Sequence, residues 1–142
     1  MRVVFTVPGT PIGKGRPRIG KVGGHARMFT PEKTVNYEGL IAHVGHTAMA
    51  GRALIAGPVE LVLRMHFEVP KSFSKRKAAD ALAGRIRPTK KPDTSNVLKA
   101  IEDGLNGVVW VDDVQVVEHV ISKRYAATPG VVVEIEELEP AE

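Results

Sequence analysis

Strand patterns and helix patterns are interspersed along this chain, which places it in the mixed α/β class, α+β in arrangement. Three observations carry that reading. Residues 59–69 alternate apolar and polar side chains, the period of a half-buried strand. Val97, Leu98, Ile101 and Leu105 recur instead at helical spacing and define one apolar stripe. No internal repeat, low-complexity segment or linker divides the 142 residues, so a single domain is expected over 1–142.

Composition bounds the function. Hydrophobic content of 43% with 25% charged residues is that of an ordinary globular protein. No apolar run is long enough to cross a bilayer and no signal-peptide pattern opens the chain, so cytoplasmic residence without a membrane partner is the expectation. The absence of cysteine excludes disulfides, thiolate zinc sites and cysteine nucleophiles. Net charge is +4, yet residues 131–142 are acidic, with Glu134, Glu136, Glu137, Glu139 and Glu142. The remainder is therefore more basic than the total, which favours a localised anion-binding face.

Arg2 to Pro8, with Val3, Phe5 and Val7 on one side, reads as the first strand. A glycine- and proline-rich segment follows to Arg27, a loop or loose hairpin carrying Lys14, Arg16, Arg18, Lys21 and Arg27 without an acid. Glycines let backbone N–H groups approach an anion and the cations neutralise phosphates, so nucleic-acid contact is favoured over a merely solvated loop. The spacing does not fit a Walker A loop. Residues 27–30 form a short returning strand, and Thr30-Pro31-Glu32 starts a helix running to about Ala50, with Val35, Leu40, Ile41, Val44 and Met49 toward the core. His43 and His46 sit three apart on it without a third ligand and read as ordinary histidines.

Gly57-Pro58 breaks the chain before the strand at 59–69, which Pro70 ends. Ser72 or Ser74 caps a short helix to about Ala83, and Arg85, Arg87, Lys90 and Lys91 make a second basic run. Pro92 stops any upstream helix, and Asp93, Thr94 or Ser95 can cap the next one. Ser95, Lys99, Glu102 and Asp103 form its polar face, and Asn106-Gly107 ends it. Residues 108–111 then predict a short strand delivering Asp112 and Asp113. Residues 114–125 are β-rich with adjacent apolar pairs, a pattern of partial cover on both faces. Thr128-Pro129-Gly130 turns the chain into a last strand, the two strands making a hairpin.

An acid at a helix start, a lysine further along it and an acid after the next strand can meet at one point. Carboxylates so arranged are hard oxygen ligands suited to Mg²⁺ or Mn²⁺, and a lysine beside them can neutralise a phosphate in the transition state. The competing account is bland: Asp93 only caps a helix, Asp112-Asp113 only make a solvated turn, and the basic side chains pair with the acids.

The same residues resemble the RusA-type Holliday-junction resolvases, small endodeoxyribonucleases often carried by phages and prophages. Val7-Pro8-Gly9-Thr10-Pro11 with residues 14–18 resembles the family's basic N-terminal segment. Lys91-Pro92-Asp93-Thr94-Ser95-Asn96 with Lys99, Asp103 and Leu105-Asn106-Gly107 resembles its central motif, and Trp110 through Val116 its closing motif. The fold implied is α/β (α+β), a small mixed β-sheet with helices packed against it, in a homodimer that matches the two-fold symmetry of a four-way junction. The carry-over makes Asp93, Lys99 and Asp113 catalytic. It makes Asp93 and Asp113 metal ligands, with Ser95 and Asp112 as further candidates and Asp103 supporting. Mg²⁺ is the implied cofactor, with Mn²⁺ able to substitute. Lys14, Arg16, Arg18, Lys21, Arg27, Lys90 and Lys91 would hold branched DNA.

One position departs from the family pattern. The central motif there reads Asp-x-Asp-Asn, and Ser95 stands where the second acid belongs. A hydroxyl brings no negative charge to an ion. Two readings follow: a Mg²⁺-dependent nuclease that resolves junctions in DNA recombination and repair, or a branched-DNA-binding protein whose cleavage is weak or lost. A third, an RNA-binding accessory protein, explains the basic loop but gives no reason for the placing of Asp93, Lys99 and Asp113.

Overall fold

The structure, a computed structural model, describes residues 1–15 and 18–139, with the side chains of residues 18, 22 and 27–29 outside that description. Its elements in chain order are β1 (Arg2–Pro8), β2 (Arg18–Val22), β3 (His25–Phe29), α1 (Glu32–Met49), β4 (Val59–Glu68), α2 (Lys75–Leu82), α3 (Thr94–Leu105), β5 (Val116–Ala126) and β6 (Gly130–Glu137). Four strands form one sheet in the order β1-β6-β4-β5. β4 and β5 run parallel, whereas β6 is antiparallel to both β1 and β4, so the sheet is mixed as expected.

Alternation decides which face is covered. Val3, Phe5 and Val7 of β1, Leu61, Leu63 and Met65 of β4, and Val131, Val133 and Ile135 of β6 are buried in one core with α1 and α3. Each such side chain contributes on the order of 2 kcal/mol by leaving water. The other face carries Glu134 and Glu136 of the acidic C-terminal stretch. Glu134 there pairs with Arg64 at 3.0 Å and Arg2 at 3.2 Å. Glu60 has its carboxyl raised by a hydrogen bond with Glu118, with further charge from Glu136 and Glu134. The charge asymmetry of the sequence thus becomes an acidic sheet face opposite the helices.

β2 and β3 are a separate hairpin closed by Gly23-Gly24, both at positive φ (58° and 81°), as a two-residue turn between twisted strands requires. α1 and α3 cross in close contact. A Cβ on Gly104 would lie 2.8 Å from Ile41 Cγ2, so a side chain there would force the helices apart.

Three expectations are corrected. β5 and β6 do not form a hairpin: β4 lies between them, and the link 127–129 carries the chain past its end. A turn signal looks the same whether the chain returns beside its last strand or one strand further over. Residues 108–111 are not a strand. Gly107 (φ 73°) folds the chain back over the end of α3, its N–H bonding Trp110 O at 2.8 Å, and buried Trp110 makes only isolated bridges to Ile55 and Asn106. Val35 is 54% exposed, because the buried stripe of α1 is Thr34, Tyr37, Ile41, Gly45 and Met49. Thr34 turns inward since its Oγ1 accepts the Gly15 N–H at 2.8 Å.

Candidate active site

Everything chemical in the central motif hangs on α3. Its start is a capped terminus: Asp93, in extended backbone, accepts the Asn96 N–H at 2.8 Å. The Ser95 hydroxyl donates to the same Asp93 oxygen at 3.2 Å. Lys123, reaching over from β5, donates to the carbonyls of Lys90 (2.6 Å) and Pro92 (2.9 Å) and pins the chain entering the helix. The segment 12–15 lies across both helix starts. Lys14 N–H bonds Asn96 O at 2.9 Å, and at Gly15 a Cβ would come within 2.6 Å of Thr34 Oγ1. A glycine there is what lets the segment sit down.

That placement delivers Lys14 to the middle of α3. Asp103 bridges two ammonium groups, Lys99 at 3.0 Å through Oδ1 and Lys14 at 3.0 Å through Oδ2, while Lys14 also pairs with Glu38. Burial pushes the Asp103 carboxyl up, but the hydrogen bonds from Lys14 and Lys99 outweigh it and hold the group below its usual range. Lys99 is raised, first by its hydrogen bond to Asp103 and further by the charges of Asp103, Asp113 and Glu102. Lys14 is raised too, since Glu38 and Asp103 overcome the opposing effect of burial. Both lysines stay cationic at any physiological pH.

The end of α3 gathers the other acids. Asn106 donates from Nδ2 to Asp113 Oδ2 at 3.1 Å and accepts the Trp110 indole N–H at 2.7 Å. Gln115 fixes the Asp112-Asp113 turn: its Oε1 accepts the N–H groups of Val111 and Asp112, both at 2.9 Å, while its Nε2 donates to Ile55 O (2.7 Å) and Gly57 O (3.0 Å). Asp113 is half-buried and Asp112 exposed. Glu102 has its carboxyl raised, first by burial and also by the charge of Asp113, against a lowering contact with His119 at 3.4 Å.

The structure therefore brings Lys99, Glu102, Asp103 and Asp113 together. Among the described residues, Asp93 bonds Asn96 and Ser95 and shares no hydrogen bond with these four. Asp93 caps the start of α3, and Asp113 is bonded to Asn106, which ends it. An ion shared by both would need each carboxylate at about 2 Å from it. Among the described residues, no three His, Asp or Glu side chains converge on a point that could hold a metal. Glu102 and Asp113 are near enough for the charge of one to raise the other, and Mg²⁺ commonly takes only one or two carboxylates with water in its remaining positions.

Of the expected DNA contacts, Lys21 lies exposed on β2, and Lys90 and Lys91 are exposed before α3. Arg16 and the side chains of Arg18 and Arg27 lie outside the described residues. Sequence reasoning missed Glu102, Asn106, His119, Glu38 and Lys123 as members of the site. Glu102 and Asn106 had a signal: they stand three and seven residues after Lys99, on the same helix face. His119, Glu38 and Lys123 come from other elements and had none.

A small α+β domain presenting lysines beside carboxylates on one helix face has the equipment of a phosphodiester-cleaving enzyme. The profile of the endodeoxyribonuclease RusA family matches residues 8–136, and the chain belongs to that family. It is also 37% identical over 138 residues, 96% of either chain, to the uncharacterized protein YqaN of Bacillus subtilis (strain 168).

Proposed function

We propose that this protein is a divalent-metal-dependent, structure-selective endodeoxyribonuclease that resolves four-way (Holliday) junctions by paired phosphodiester hydrolysis, in DNA recombination and repair in the cytoplasm. The observation that supports this most is the α3 face, where Lys99, Asp103, Glu102 and Asp113 meet in a member of an endodeoxyribonuclease family. Asp113 and Glu102 would hold the cation, with Asp93, Ser95 and exposed Asp112 as further candidate ligands. Mg²⁺ or Mn²⁺ bound there would supply a water of lowered pKa and Lewis acidity toward the phosphate. Lys99, 55% exposed, can swing from Asp103 onto a non-bridging phosphate oxygen and offset charge as it grows. Lys14 remains on Asp103 and keeps that carboxylate neutralised when Lys99 leaves. Exposed Lys21, Lys90 and Lys91, with Arg16, Arg18 and Arg27, would hold the arms. A homodimer would place two such faces on a two-fold symmetric junction.

Ser95 favours a second reading, junction binding with weak or absent cleavage, because its hydroxyl donates to Asp93 where the family pattern has a carboxylate. A labelled four-way junction in Mg²⁺ or Mn²⁺ separates the two. The nuclease reading expects paired nicks that vanish in Asp113→Asn. No cleavage by the wild type in either metal, with Ser95→Asp cutting, would replace it with the binding reading.

A further inference from the structure

Outside the carboxylate cluster lies an unassigned cleft of about 980 Å³ bounded by residues 8–15, the start of α1 and the loop entering α3. That volume is at the upper end of small-ligand sites. Its walls are apolar, from Pro11, Ile12, Leu40, Pro92 and the ring of Tyr37. Lys33 and Lys91 also line it, both exposed and neither in an ion pair among the described residues. Asp93 and Asn96 line it as well, so it is continuous with the start of the α3 face.

The chemistry of wall and rim points to a ligand. Tyr37 is only 4% exposed, and its buried hydroxyl lies against the Ile12 backbone, which places the ring as a fixed wall of the cleft. Flat apolar walls beneath a cationic rim complement a nucleotide: a planar base with acceptor edges, carried on an anionic backbone. An apolar peptide would have no use for the two lysines.

We propose that this cleft receives one unstacked base of the DNA substrate, with Lys33 and Lys91 holding the phosphates on either side of it. This deepens the junction-cleaving reading and rests on it. A base taken out of the stack at a branch point costs least, because pairing and stacking are already interrupted there. The cleft would thus select branched over continuous duplex by what it can accommodate, and seat the strand beside Asp93.

The experiment uses the full chain and a four-way junction carrying 2-aminopurine at one crossover nucleotide, in Ca²⁺. Anisotropy reads binding; 2-aminopurine fluorescence reads unstacking. Wild type should bind and raise the fluorescence several-fold. Leu40→Trp, which fills the cleft, should bind within about tenfold, the value of one lost stacked base, and leave the fluorescence at its free-junction level. Lys33→Glu, on the exposed rim, should likewise lose the signal and covers the case in which Leu40→Trp fails to fold. Junction binding without a rise, or a rise unchanged in Leu40→Trp and Lys33→Glu, overturns the base pocket alone. No junction binding at all overturns it together with the function it rests on.

Discussion

The two ends of α3 carry the same kind of residue under different conditions. At its start, Asp93 is exposed and already employed, accepting from the Asn96 N–H and the Ser95 hydroxyl. At its end, Asp113 and Glu102 are half-buried, close enough that one raises the other, and backed by the Trp110–Asn106 hydrogen bond. An exposed carboxylate that caps a helix is stable without an ion. A half-buried pair is stabilised by one. The difference teaches that acids of one motif can sit in unlike surroundings, one satisfied by local hydrogen bonds and a pair burdened by burial and mutual charge.

The sharpest way to break that contrast is to remove one acid from each end. Asp113→Asn should lower cleavage by about a hundredfold or more, several kcal/mol of transition-state stabilisation, with junction affinity in Ca²⁺ retained. Equal loss in Asp93→Asn, with isothermal Mn²⁺ binding reduced alike, would show that both ends serve one ion site. Glu102→Gln should cost about ten- to a hundredfold in activity, the range for groups supporting a metal.

Glu102→Gln also has a stability signature of opposite sign. A carboxyl with a raised native pKa makes the folded state take up a proton that the unfolded state releases, so wild type loses stability as pH rises through the interval above 4.5. Thermal melts should therefore show Glu102→Gln more stable than wild type at pH 7, with the gap closing in acid. Asp103 works the other way. Its native pKa lies below the ordinary 3.8, so its contribution is present above that value and disappears as pH falls through the lowered one. Asp103→Asn should melt lower at pH 7 and match wild type only in strong acid. The smallest effect belongs to the helix start, where Asp93→Ala removes a cap worth about 1 kcal/mol, a fall in Tm of about 4 °C.

Much of this was legible in the sequence, and the limits are physical. The Asp93 cap, the Val97–Leu105 stripe and the Gly107 stop are local signals, set by backbone chemistry within a few residues, and they fall where expected. β4 was readable because every second residue from Val59 to Phe67 is a large apolar one. Strand order was not, since nothing in Thr128-Pro129-Gly130 encodes that β4 will occupy the place beside β5. The site divides the same way. Helical spacing puts Lys99, Glu102 and Asp103 on one face, but only the tertiary fold shows that Asp113 joins the end of that face rather than its beginning. Lys123 and Glu38 reach the site from other elements, and no window of sequence contains them both with α3.

The seat that Gly15 gives residues 12–15 has a consequence for how the protein would meet DNA. Lys14 arrives already matched to Glu38 and Asp103, two acids that a phosphate would have to outbid. Affinity measured against ionic strength counts only the cations that displace ions from the duplex. The slope of that plot should be the same with Lys14 as with methionine in its place, and a basic residue at the heart of the N-terminal motif would prove invisible to the polyanion.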